Sequence, residues 1–310
     1  MNKQRIFITG GTGFIGQALI ARWLQQGHLI TVLSRRPEWV QRHWQGKVVA
    51  VSDFQQLSGS FDVLVNLAGE GIADRRWSRA RKAELYESRV ELTQALVRWA
   101  TLSGQRFKRV LSGSAIGYYG GFDGAASPAL DETADAGDDF AARLCRDWEQ
   151  AAEPLQELTG RLVYLRTGVV LGSHGGMLKR LKLPFSLGLG GVIGDGRQVL
   201  SWISLDDYCR AVDFLLSADV SGPVNMTSPN PETNRAFTSA LASALKRPAL
   251  LPMPSCMAKA AFGEMSLLLL KGQKVLPQQL TQAGFSFHDA DITPLLEREF
   301  HSGIYQAGAR

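Results

Sequence analysis

Short apolar runs alternate with segments of helical period along the first half of the chain. Arg5 to Thr9 is a β-type run that ends in glycines, Gln17 to Gln26 repeats its apolar positions at helical spacing, and "HLITVLSRR" is a second apolar strand. The alternation continues through "KVVAV", "FDVLVNLAG", a long helical segment near Ala80 to Ser103, "RFKRVLSGSA", a helix around Phe140 to Leu158, and "GRLVYLRTGVVLG". These strands are apolar throughout rather than at every second position, which suits a parallel sheet covered on both faces. The pattern predicts an α/β fold, a Rossmann-type doubly wound parallel sheet. After Gly172 the texture changes to glycine-rich "GLGLGGVIGDGRQ", then "WISLDDY", then a proline-punctuated stretch from Pro248 to Pro254. A cofactor domain is therefore expected over residues 1–171 and a smaller C-terminal substrate lobe over 172–310, partly interleaved with it. The late segment "MAKAAFGEMSLLLLKG" is interrupted by Lys259 and Glu264 and is shorter than the ~20 apolar residues that span a bilayer, so it reads as a packed helix of that lobe.

Composition narrows the function classes. A chain of 310 residues with 45% hydrophobic and 20% charged residues buries a large core. Its net charge of +5 comes from scattered basic residues, which suits an anionic small molecule; no nucleic-acid partner and no membrane are expected, and a homodimer is left open. Cys145, Cys209 and Cys256 are too far apart for a disulfide framework or a metal knuckle, and the histidines form no ligand spacing. They read as buried thiols in a reducing cytoplasm. The first apolar run ends at Gly10, too early for a secretion signal.

Candidate chemistry begins at "ITGGTGFIG". Glycines at 10, 11, 13 and 16 fit G-x-G-x-x-G from Gly11 and also the register Gly10, Gly13, Gly16. Placed between a strand and a helix, they allow a tight turn and let backbone N–H groups approach a pyrophosphate. Gly10, Thr12, Gly13, Phe14, Ile15 and Gly16 are the residues expected to hold it. At the end of the second strand, Ser34, Arg35 and Arg36 stand where an NAD site would offer a carboxylate to the ribose. A hydroxyl and two guanidiniums match a 2′-phosphate, so NADP(H) is the expected cofactor.

Taken together, "TGGTGFIG", "NLAG", "SGSAIGYYG" and "GDGRQVLSWISLDDYCRA" resemble an extended short-chain dehydrogenase/reductase. More narrowly, "RRW", "ESRV" and the C-terminal "FGEMSLLLLKGQKVLPQQLTQAGFSF" resemble the atypical, sugar-nucleotide epimerase-like group of that superfamily. The resemblance implies that Leu67, Ala68 and Gly69 line the cofactor, with Glu84, Arg89 and Arg166 as further cofactor candidates. It also implies that Ser114 is the site serine and Tyr118 the tyrosine of the serine-strand signature, the two catalytic candidates. One departure is large. Typical members pair a tyrosine with a lysine four residues later, because a phenol of ordinary pKa near ~10 is a poor base at neutral pH. This chain contains no Tyr-x-x-x-Lys; in "DFAARLCRDWE", with Glu149 anchoring the register, the two positions read Ala141 and Cys145. A second departure is Val169 in "RTGV", where the family often places a sugar-nucleotide-binding asparagine.

Three functions fit these residues: an NADP(H)-dependent oxidoreductase on a small carbonyl or hydroxyl compound, a catalytically lapsed NADPH-binding sensor or partner-binding protein, and, with less support, a sugar-nucleotide epimerase. Elsewhere, Trp77 and Trp202 suit an apolar pocket or, more commonly, core packing. The basic run from Arg75 to Lys82 suits a solvated helix face or a lid. Asp206 and Asp207 resemble a loop-fixing turn, and no metal is expected.

Overall fold

The computed structural model describes residues 3–124 and 127–301. Its largest sheet has seven strands: β1 (Arg5–Thr9), β2 (Leu29–Leu33), β3 (Val49–Val51), β4 (Val63–Asn66), β5 (Arg109–Ala115), β6 (Leu162–Thr167) and β7 (Gly222–Met226). Their spatial order is β7-β6-β5-β4-β1-β2-β3, and β1 to β6 pair in parallel. The order reverses beside β1, and such switch points are where open α/β sheets form ligand crevices. The Rossmann-type expectation holds.

Helix α1 (Phe14–Gln25) shows why the sequence takes this form. Gly16, Leu19, Ile20 and Trp23 are its buried residues, one helical face turned inward. Trp23 is fully buried, and its indole N–H donates to Asp213 Oδ1 at 2.9 Å. Removal of such a ring costs about 3–5 kcal/mol. On β1, Phe7 joins Leu64, Val110 and Leu162 of neighbouring strands in one cluster, covered by Leu96 and Ala100 of a second helix and Ala152 of a third. The helix expected near Ala80 to Ser103 is continuous but changes pitch: α-helical over Arg79–Tyr86, wider over Glu87–Glu91, and α-helical again over Leu92–Leu102.

The chain forms two compact units. The first comprises Met1–Tyr118, Ala136–Thr167 and Cys209–Val224; the second comprises Tyr119–Asp135, Gly168–Tyr208 and Asn225–Arg310. In the second, Leu171, Leu178, Phe185, Trp202, Phe237 and Leu295 belong to a separate core. Trp202 is fully buried there, its N–H on Asn230 O at 2.9 Å, so it packs and does not close a pocket. Buried Asp207 accepts the backbone N–H groups of His288 and Asp289, the loop-fixing use its sequence context suggests.

One expectation is corrected. The late apolar segment is not a single packed helix: it divides into Ser255–Phe262 and Leu267–Leu270 around Gly263, whose φ of +59° stops the first helix. The first of these buries only Ala258. Among the described residues no helix is long and apolar enough to cross a membrane.

Candidate active site

The glycine turn has two kinds of glycine. A Cβ on Gly10, which sits at φ +73°, would lie 2.5 Å from Leu67 O, and one on Gly16 would lie 2.3 Å from Gly10 O. Those positions bring helix and strand into contact and admit no side chain. Gly13 differs: it is exposed, and a Cβ there would have only Gly10 O nearby, at 3.3 Å. As N-cap of α1 it contributes no side-chain cap, so the first-turn N–H groups of Phe14, Ile15 and Gly16 have no acceptor within the helix, whose positive end lies at the exposed Gly13. Thr12 O accepts from Gln17 Nε2 at 2.7 Å, which ties the turn to the helix it opens. The residues present fit a pyrophosphate.

At the end of β2 the three expected residues behave differently. Ser34 is buried and its Oγ accepts the Arg36 backbone N–H at 3.1 Å. The Arg36 guanidinium lies 5.8 Å from the centre of the Trp39 ring. Arg35 is 91% exposed and pairs with Glu70 Oε1 at 2.9 Å. Sequence reading finds no carboxylate at this strand end; folding brings Glu70 there from the loop after β4. A pair this exposed is worth at most about 1 kcal/mol, so a phosphate dianion can displace it.

The loop Leu67–Ala68–Gly69 rests on a buried polar network. Thr9 Oγ1 donates to Asn66 Oδ1 at 2.7 Å and accepts the Ala68 N–H at 3.2 Å, and Asn66 Nδ2 donates to Thr93 Oγ1 at 2.9 Å. Arg89 stands in the wide helical turn, the kind of local defect that often re-aims a side chain at a functional site. Its guanidinium donates to Glu70 O at 2.9 Å, lies 5.2 Å from the Trp148 ring centre, and packs against Gly69. Burial lowers its pKa from the ordinary arginine value. Glu84, by contrast, is held in ion pairs with the exposed Arg75 at 2.6 Å and the buried Arg81 at 2.7 Å.

The serine strand leads to a buried charge cluster that the sequence marks only as a register anchor. Ser114 Oγ donates to Glu149 Oε1 at 2.6 Å. Glu149 accepts a two-point fork from Arg166, Nε to Oε1 at 2.9 Å and Nη2 to Oε2 at 3.0 Å. The Arg166 guanidinium stacks 3.5 Å from the centre of the Tyr118 ring. The paired tyrosines thus part company: Tyr118 is half-buried on a cation, whereas Tyr119 is buried with its hydroxyl donating to Asn225 Oδ1 at 2.7 Å. Arg166 is committed to Glu149 and Tyr118.

Ala141 and Cys145 lie one turn apart on Phe140–Ala152, and a Cβ on Gly117 would touch both, at 3.3 Å and 3.7 Å. The dyad positions therefore come together beside the serine strand without a phenol or an ammonium. Burial, reinforced by the charge of Glu149, pushes the Cys145 thiol up to about 12, so it is no substitute nucleophile. The expectation of three buried thiols is corrected at Cys256, which is exposed because the helix carrying it packs on so little. A maleimide at neutral pH should therefore modify Cys256 quickly and Cys145 and Cys209 only on unfolding. Mass spectrometry of the native protein checks this, and rapid labelling of Cys145 would contradict it. Trp77 is buried against Phe140, ring centres 5.0 Å apart, with its N–H on Ile72 O.

Comparison with known proteins places this geometry among relatives. The model of the NAD-dependent epimerase/dehydratase family matches residues 6–227, and a domain of unknown function, DUF1731, matches residues 253–299. The epimerase family protein Mb2239 of Mycobacterium bovis is 41% identical over 299 residues, 93% of this chain and 94% of the relative. The human epimerase family protein SDR39U1 is 38% identical over 302 residues, 94% of this chain and 98% of the relative. A crystal structure of human SDR39U1 (isoform 2) with NADPH superposes with a TM-score of 0.86 at 34% identity, covering 96% of this chain and 99% of that one. A nucleoside-diphosphate sugar epimerase from Corynebacterium glutamicum superposes with a TM-score of 0.75 at 32% identity, covering 96% of this chain and 58% of that one.

Proposed function

Because the chain belongs to the NAD-dependent epimerase/dehydratase family, we propose that it is an NADP(H)-dependent reductase of a small carbonyl compound, working without the tyrosine–lysine dyad. The observation that carries this reading is the pairing of an uncapped α1 N-terminus at Gly13 with Ser34, Arg35 and Arg36 at the end of β2. One is suited to a pyrophosphate, the other to a 2′-phosphate. The similar human protein crystallised with NADPH supports the same choice.

Bound NADPH supplies a hydride to the carbonyl carbon; the chain's own task is to orient the substrate and give a proton to its oxygen. Ser114 has already committed its proton to Glu149, so its Oγ meets the substrate with lone pairs unless the hydroxyl rotates. It therefore suits an acceptor role toward a substrate hydroxyl, and a donor role toward a carbonyl oxygen only after rotation. Tyr118, with the Arg166 guanidinium over its ring, offers its hydroxyl, and water is the remaining donor. Reduction needs only such a donor. Alcohol oxidation needs a base, and the two positions where the family builds one are Ala141 and Cys145.

Those two residues also favour a second reading, a lapsed enzyme that binds NADPH without turning it over. NADPH consumption across a panel of small aldehydes and ketones separates the two. A reductase should lose about tenfold or more in turnover on Ser114→Ala, from loss of the hydrogen bond that the rotated hydroxyl gives the carbonyl oxygen, and less on Tyr118→Phe if water can take over. Tight NADPH binding with no consumption on any compound would favour the second reading.

A further inference from the structure

The second unit carries an apolar surface for which the cofactor chemistry has no use. Leu183, Leu187, Leu189, Leu250, Leu251 and Met257 are each 53–73% exposed. Backbone hydrogen bonds bring their segments side by side: Leu251 N–H donates to Gly190 O at 3.1 Å, Met253 N–H to Val192 O at 2.9 Å, and Gly194 N–H to Met253 O at 2.9 Å. Arg247 Nε adds a bond to Ser186 O at 3.1 Å. The adjoining helix Ser255–Phe262, "SCMAKAAF", has one charged residue and buries only Ala258. Apolar side chains gathered on an exposed face in this way mark a contact surface.

Charge selects the partner. Residues 176–194 and 244–263 contain Lys179, Arg180, Lys182, Lys246, Arg247 and Lys259, against two exposed acids at their edges, Asp195 and Glu264. A second copy would bring the same excess of positive charge, six cations to two acids, against this one, so self-association through this face is opposed. Side chains more than half exposed also protrude rather than line a groove, which suits a soft surface better than a preformed protein pocket. Exposed leucines on segments that carry an excess of lysine and arginine match the headgroup–acyl boundary of an anionic bilayer, where apolar burial and attraction to acidic lipids act together.

We propose that this face of the second unit docks the protein peripherally on anionic lipid membranes. This departs from the sequence expectation of no membrane partner, since contact with one leaflet needs no segment long and apolar enough to span. The test is flotation of the full-length protein with vesicles of phosphatidylethanolamine and phosphatidylglycerol, and with vesicles of phosphatidylcholine alone. Binding should be greater by about tenfold or more on the anionic vesicles and should fall by a similar factor in Lys179→Glu/Lys182→Glu/Lys259→Glu. Leu250→Ser/Leu251→Ser, at exposed positions, should lower binding on both vesicles while leaving the melting temperature and NADPH affinity unchanged. Failure of the wild-type protein to float, equal binding to both vesicles, or flotation insensitive to both variants would each overturn the proposal. So would a protein–protein complex abolished by Leu250→Ser/Leu251→Ser in the absence of vesicle binding.

Discussion

Glu149→Ala should destabilise the protein by about 3–5 kcal/mol, because it leaves the Arg166 guanidinium buried without its carboxylate. Both side chains are almost fully enclosed, at 5% for Arg166 and 12% for Glu149, so solvent does little to compensate. Ser114 loses its acceptor in the same step. The cost belongs to the broken pair and not to the presence of charge: Glu149→Leu combined with Arg166→Met should be less destabilising than Glu149→Ala alone, since no unpaired ion remains. Urea denaturation of the two variants and the parent checks this. A double variant as unstable as the single one would show that the ion pair is not what the single substitution breaks.

Gly13→Val should abolish dinucleotide binding while leaving the fold largely intact. The reason is the contrast among the turn glycines. A side chain at Gly10 or Gly16 would strike backbone at 2.5 Å or 2.3 Å, but Gly13 has a φ of −77° that any residue adopts and a single near neighbour at 3.3 Å. A branched side chain there projects toward the open first turn of α1, where a pyrophosphate would accept from the backbone N–H groups. NADPH affinity should drop by two orders of magnitude or more, on the order of two or more charged hydrogen bonds at ~1.5–3 kcal/mol each. Circular dichroism and the melting temperature should change little. Unaltered NADPH binding in a folded Gly13→Val protein would place the pyrophosphate elsewhere.

Much of this was legible from local pattern. Uninterrupted apolar runs separated by helical segments imply a covered parallel sheet, and the glycine cluster implies a tight turn between a strand and a helix, because both signals lie within a few consecutive residues. The missing dyad was equally visible, since Ala141 and Cys145 are read directly from one helix. What was hidden depends on residues far apart in the chain. Arg35 meets Glu70, and Ser114 meets Glu149, only after strands and helices have packed, and no periodicity announces either contact. The division of labour between Tyr118 and Tyr119 is of the same kind, set by Arg166 on one side and Asn225 on the other. The late apolar segment misled for the opposite reason. Its composition is that of a buried helix, but Gly263 ends the helix early and the face around Met257 finds no cover among the described residues, which leaves Cys256 exposed as well.

Cofactor choice is the central claim of the proposed function, and calorimetric titration of the wild-type protein with NADPH and with NADH measures it directly. With Arg35 and Ser34 meeting the 2′-phosphate, NADPH should bind tighter by about tenfold or more, from one charged hydrogen bond at ~1.5–3 kcal/mol, and Arg35→Asp should remove or reverse that preference. Equal affinity for the two cofactors in the wild-type protein would contradict it.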